Sequence, residues 1–214
     1  MDKIFLFGES IGDNNFIGRE AEIKRLKANF THGINTMLIS PRRWGKTSLV
    51  KKVAKEVKSD KLKVVFFDIF WCRSEYDFYN VFAEAVLRQT ASRFEEFVDT
   101  ATSFLGRIVS RVALSPDPNS EISLSLGITP KTHTPEEILE LPERIAAKKK
   151  CHIVVCIDEF QQIGEFEKSL SVQKRMRTVW QHQQNTSYCL FGSKKHLLEN
   201  IFQSRSNPFY KFGD

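Results

Sequence analysis

The chain has 214 residues, of which 41% are hydrophobic and 27% charged, enough apolar material for one globular domain or slightly more and no bias toward a fibrous or disordered chain. Its longest apolar runs, such as Ile153 to Ile157, fall far short of the roughly 20 residues a membrane-spanning helix needs. No basic-then-apolar leader with a cleavage site opens the chain, so no membrane partner and a cytoplasmic location are expected. The formal net charge of +6 suits an anionic partner such as a nucleotide or nucleic acid. The excess is dispersed, with Lys51, Lys52, Lys55 and Lys58 at helical spacing and Lys148 to Lys150 closing another helix, where cations complement the helix dipole. Cys72, Cys151, Cys156 and Cys189 show no C-x-x-C spacing, and three sit in apolar runs, so they read as buried free thiols.

In chain order, apolar positions Ala21, Ile23, Leu26 and Phe30 predict a lead-in helix over Arg19 to Phe30, behind the short motif Phe16-Ile17-Gly18-Arg19-Glu20. Residues 1–34 form this lead-in, and 35–214 the core. A short strand at Asn35 to Ser40 is followed by the loop SPRRWGKTSL and by a helix whose face is marked by Leu49, Val50, Val53 and Val57. Lys63 to Trp71 is a buried-strand run, and Phe78 to Phe97 an amphipathic helix. This alternation predicts an α/β fold with a parallel sheet. Two β-like runs around Ser115 to Ser120 break the rhythm and predict an inserted hairpin over about 106–130. Thr134, Pro135 and Glu137 supply the cap, first position and capping box of the next helix, which Pro142 kinks or restarts. Cys151 to Phe160 is a strand ending in two acidic residues, Lys168 to Gln184 a helix, Ser187 to Ser193 a further strand, and Lys195 to Phe202 a last short helix.

The loop carries the chemistry. Backbone N–H groups at a helix amino terminus attract anionic oxygens, and the helix dipole reinforces them. In this pattern Gly45 allows close backbone approach, Lys46 reaches the β and γ phosphates of a nucleotide, and the Thr47 hydroxyl ligates Mg²⁺. Pro41, Arg42, Arg43, Trp44 and Ser48 complete the candidate nucleotide contacts. Arg42 and Arg43 point either at phosphate or outward, and Trp44 either packs over the nucleotide or covers the sheet edge. Ser40 replaces the usual first glycine, a tolerable change if its backbone angle is ordinary. The pattern G-K-[ST] alone occurs by chance in roughly 0.1 copies per chain of this size; a strand before it and a helix behind it make chance much less of an explanation. Asp158 ends a strand, where open α/β sheets bind ligands, and is the second candidate Mg²⁺ ligand. Beside it, Glu159 is the candidate general base for water.

Taken together, FIGRE (Phe16 to Glu20), SPRRWGKTSL, VVCIDEFQQI (Val154 to Ile163) and CLFGSKKHLLENIF with NPFYKFGD resemble the archaeal-type ATPase family, a branch of the STAND class of P-loop NTPases related to AAA+ proteins. The resemblance covers nearly the whole chain. It implies a three-layer α/β/α P-loop fold whose parallel sheet is ordered 5-1-4-3-2, of which strands 1-4-3-2 are expected here and strand 5 is missing. It also implies ATP and Mg²⁺ as ligands, Phe16, Gly18 and Arg19 at the base and ribose, and Ser193 as a polar sensor near the γ phosphate. Ser193 serves equally well as a cap for the following helix. Relatives continue into strand 5, a helical lid and often a winged-helix domain, so the chain is expected to be a piece of a longer protein, with strand 1 as an exposed edge.

The leading expectation is Mg²⁺-dependent ATP binding and hydrolysis by a conformational switch, with Lys46, Asp158, Glu159 and Ser193 as the catalytic set. A nucleotide-regulated DNA-associated module and an ATP-binding scaffold without turnover are the alternatives. A protein partner, the missing lid or winged-helix domain, and oligomerisation are open.

Overall fold

The computed structural model describes residues 19–92 and 134–214 together with Glu96, Thr100 and Ser103. Phe16, Gly18 and the expected hairpin at 106–130 lie outside the described residues. Four strands, β1 (Thr36–Ile39), β2 (Leu62–Asp68), β3 (His152–Asp158) and β4 (Thr186–Gly192), form one parallel sheet in the order β1-β4-β3-β2. Ile39 pairs with Gly192 and Asp68 with Asp158, so all four strands deliver their carboxyl ends to one edge. Helices fill the crossovers, as parallel pairing requires.

The alternation of side chains along each strand sorts the core into two layers. Val154, Cys156, Cys189 and Phe191 point to the face covered by α1 (Glu20–Thr31) and α2 (Lys46–Val57), meeting Leu26, Phe30, Leu49, Val50 and Val53. The expected lead-in helix therefore packs directly on the helix that follows the loop. Ile153, Val155, Ile157, Tyr188 and Leu190 point the other way. There they meet α3 (Glu75–Thr90), α4 (Pro135–Leu139), α5 (Leu141–Lys149), α6 (Ser169–Trp180) and α7 (Lys195–Gln203). The result is the three-layer α/β/α arrangement.

Local signals explain most boundaries. Thr134 and Glu137 form the reciprocal capping box expected of them. A second box, Ser74 with Asp77, starts α3 three residues before the first apolar position of its pattern, which is why periodicity alone places that helix too late. Pro142 restarts the chain as α5 after a break at Glu140. All four cysteines are buried and free.

The outer edge of β1 is not entirely bare. Asp214 donates its N–H to the Asn35 carbonyl and accepts from Met37 N–H, both at 2.8 Å, the two-bond signature of a parallel bridge opposite Thr36. Arg25 and Asn29 hold its carboxylate. A Cβ on Gly213 would stand 2.2 Å from the Asn35 carbonyl oxygen, so the tail approaches this closely only as glycine. The expected open edge is thus covered at its first residues and, among the described residues, carries no further pairing.

Trp180 is the centre of the larger core layer. Its ring stacks on Tyr188 at 4.0 Å and meets Phe82, Phe160, Phe209 and Phe212. Its indole N–H is buried without a hydrogen-bond partner, so its contribution is packing. Trp180→Ala is expected to lower unfolding free energy by about 3–5 kcal/mol, and Trp180→Phe by less than half as much. Urea unfolding followed by circular dichroism measures both, and an alanine variant within about 1 kcal/mol of wild type would contradict this assignment.

Candidate functional site

The site begins where β1 ends. Ser40 keeps an ordinary backbone angle, since the left-handed positions of the loop are Arg43 (φ 66°) and Gly45 (φ 66°). That is the physical reason a serine can stand at the loop's first position: the turn's unusual conformations fall later. Helix α2 starts directly after Gly45, with no side chain capping its amino terminus and no acidic residue in its first turn. Its first intrahelical bond runs from Leu49 N–H to the Gly45 carbonyl, so the N–H groups of Lys46, Thr47 and Ser48 have no partner within the helix. An uncapped, acid-free helix start after a tight loop is a positive end seeking an anion.

Lys46 is buried, and its Nζ donates to the Ser40 and Pro41 carbonyls at 3.0 and 2.9 Å. The ammonium is thereby held across the loop's mouth. Burial pulls its pKa below the ordinary lysine value, opposed by the charges of Asp158 and Glu159. An incoming anion would relieve this penalty.

Across the sheet edge, the Thr47 hydroxyl donates to Asp158 Oδ2 at 2.7 Å, while Asp158 Oδ1 accepts the N–H of Glu159 at 2.8 Å. Burial holds the Asp158 carboxyl above the usual range against the pull of these two donors, and the charges of Asp68 and Glu159 act in the same direction as burial. A hydroxyl and a carboxylate oxygen in contact at the loop's helix start are the hard oxygen donors that Mg²⁺ prefers, so the residues present fit this ion. Among the described residues no cluster of three or more His, Cys, Asp or Glu side chains could hold a metal ion.

Glu159 follows in the left-handed region, φ 54° and ψ 37°, a conformation uncommon for a non-glycine residue and typical of constrained functional positions. Its Oε2 accepts from Ser193 Oγ at 3.0 Å and from Gln161 Nε2. Ser193 does not cap α7, whose N-cap is Lys194 with no side-chain cap bond. Gln161 lies in the turn Phe160–Glu165 and is fully buried. In the sequence it stands only within VVCIDEFQQI, where a glutamine two residues after an acidic strand end is the available signal.

Arg19, also left-handed at φ 65°, reaches back to donate from Nη1 to the Trp44 carbonyl at 2.6 Å and from Nε to Glu22 at 3.0 Å. It walls a groove of about 380 Å³ with Leu26, Leu38, Trp44, Lys46 and Asp214. Trp44 is largely exposed and flanks this groove. Arg42 and Arg43 are exposed. The structure therefore gathers Lys46, Thr47, Asp158, Glu159 and Ser193 into one cluster, with Arg19 and Trp44 at its side.

Over residues 16–207 the chain matches the family described as an ATPase domain predominantly from Archaea, and it belongs to that family. No curated protein matches it. Among solved structures it is similar to a Walker-type ATPase of Pyrococcus abyssi, with TM-score 0.64 at 16% identity over 98% of this chain and 55% of that one. It is also similar to the ORC1 protein of Aeropyrum pernix, solved in complex with DNA, with TM-score 0.57 at 16% identity over 93% of this chain and 44% of that one. The ORC2 protein of Aeropyrum pernix, solved in ADPNP–ADP complexes, gives TM-score 0.51 at 16% identity over 88% and 46%. The chain spans about half the length of these structures. The likeness shows the P-loop fold. No helix among the described residues is long and apolar enough to cross a membrane.

The raised pKa of Asp158 makes a stability prediction. The folded state binds this proton more tightly than the unfolded chain, so the contribution is fully present below the unfolded value of about 3.9 and is lost as pH rises through the folded value. Asp158→Asn copies the neutral form and is expected to raise Tm at pH 7, with the gain closing as the solution is acidified toward pH 4. A change of 1 kcal/mol reads as about 2–4 °C in a chain of this size. A Tm difference independent of pH would show that the buried charge is not its source.

Proposed function

We propose that this domain binds ATP with Mg²⁺ and hydrolyses it, its nucleotide state serving as a conformational switch. The observation that carries the reading is the Thr47–Asp158 contact of 2.7 Å beside an uncapped helix start. It joins a phosphate-binding element to an acidic strand end at one point. In this reading residues 35–214 form the catalytic core, and 1–34 bring the base-contacting motif, of which Arg19 stands beside the loop.

The free N–H groups at the start of α2 bind phosphate oxygens, and the Lys46 ammonium neutralises their charge. Arg42, Arg43 and Ser48 are the remaining loop contacts. Thr47 and Asp158 are the residues that would hold Mg²⁺, and the ion would supply charge neutralisation on the phosphate oxygens. Glu159 accepts a proton from the attacking water as the new oxygen–phosphorus bond forms and the bond to ADP breaks, giving ADP and inorganic phosphate. Ser193, hydrogen-bonded to Glu159, is the polar sensor beside that proton transfer. Transfer to an acceptor other than water is disfavoured by the carboxylate base beside the metal-binding aspartate.

A nucleotide-regulated DNA-associated role is the second reading, favoured by the exposed Trp44, Phe70 and Trp71 at the carboxyl edge, where aromatic faces can stack on bases. The ORC1 relative, solved with DNA, gives it a precedent on the same fold.

Calorimetric titration with ATP, with and without Mg²⁺, tests the first reading. Wild type is expected to bind more tightly with Mg²⁺, and Lys46→Ala to weaken binding at least about tenfold through the lost charged contact. Glu159→Gln is expected to bind normally and hydrolyse about 10²–10⁴-fold more slowly. A folded wild type that ignores ATP, and instead binds DNA with a steep salt dependence, would move the second reading to the front.

A further inference from the structure

We infer that Gln161 is a positioning residue for the Glu159 carboxylate, a role that rests on reading Glu159 as the base. Three elements converge on that side chain. Glu159 leaves the end of β3, Ser193 follows the end of β4, and Gln161 sits in the turn between β3 and α6. Ser193 Oγ and Gln161 Nε2 both donate to Oε2 of Glu159. Among the described residues Oε1 takes no hydrogen bond, so one carboxylate oxygen is anchored and the other is presented.

The amide of Gln161 has its direction imposed by charge. Reversed, it would set its oxygen against the carboxylate; as it stands, Nε2 faces Glu159 and Oε1 is buried with no partner. That orphaned acceptor lies 2.0 Å from where a Cβ on residue 192 would be, and Glu159 Cα lies 3.1 Å from the same point. Only glycine at 192 leaves room for the arrangement. Packing does not account for it, because an apolar side chain of equal length would fill the space without burying an unpaired oxygen. What the glutamine adds is a rigid donor aimed at Glu159, which removes the rotational freedom a general base would otherwise lose on reaching the reacting geometry.

The decisive variants are Gln161→Met, which keeps the volume and removes the donor, and Gln161→Glu, which keeps the shape and replaces the donor with a like charge. Both are compared in the full chain with ATP and Mg²⁺. The expected result is ATP affinity and KM within about twofold of wild type with kcat lowered about 10–100-fold, the scale of a misplaced catalytic group. In the Glu159→Gln background, Gln161→Met is expected to add no further loss, because both changes act through one group. If Gln161→Met does not fold, Gln161→Glu alone gives the same split between kcat and KM. Folded variants with wild-type kcat, while Glu159→Gln is inactive, overturn the positioning role and leave the base in place. Wild-type turnover by Glu159→Gln overturns both.

Discussion

The geometry of this site depends on one hydrogen bond, from the Thr47 hydroxyl to the buried carboxylate of Asp158. The two residues are far apart in sequence, Thr47 at the start of α2 and Asp158 at the end of β3, and the strands that lead to them are not neighbours: β4 lies between β1 and β3. The loop after β1 must lean back over the end of β4 for Thr47 to reach Asp158. Gly192, at the end of β4, leaves room for Gln161 and Glu159, and Ser193 emerges beside it toward Glu159. Every other member of the cluster takes its place relative to this bond across the sheet.

The arrangement is held against local preferences. Lys46 is desolvated, burial raises the Asp158 carboxyl above its usual range, Arg43 and Glu159 occupy left-handed backbone positions, and Gln161 leaves a buried acceptor unpaired. Each of these costs stability, left-handed non-glycine residues on the order of 1–3 kcal/mol. The two core layers, with their stacked aromatics around Trp180, supply the packing that holds such a site open. This division between a stabilising interior and a strained carboxyl edge is the usual consequence of requiring charges where a ligand, not the protein, completes their environment.

The relatives extend the same reasoning. A Walker-type ATPase and two ORC proteins share the fold over nearly all of this chain while being about twice as long. Asp214 makes a parallel bridge on the outer side of β1, and the groove lined by Leu38 and Trp44 runs along the same edge. β1 thus carries the loop at one end and this groove along its side.

The sequence alone was enough to fix the local pieces. A strand run, a Gly-Lys-Thr loop and a helix face within 23 residues specify their own conformations, because periodicity, caps and turn residues act between neighbours. The same holds for the capping box at Thr134 and for the acidic end of β3. The strand order was legible through family resemblance, since no local pattern states which strands pair. Other features required the tertiary structure: the left-handed angles of Arg43 and Glu159, the choice of Ser193 for Glu159 over its helix, the reach of Arg19 to the Trp44 carbonyl, and the placement of Gln161 over Gly192. Each depends on groups brought together by packing from separate elements. A hydroxyl that caps a helix and one that holds a carboxylate look the same in sequence; only the fold decides which partner lies within 3.0 Å.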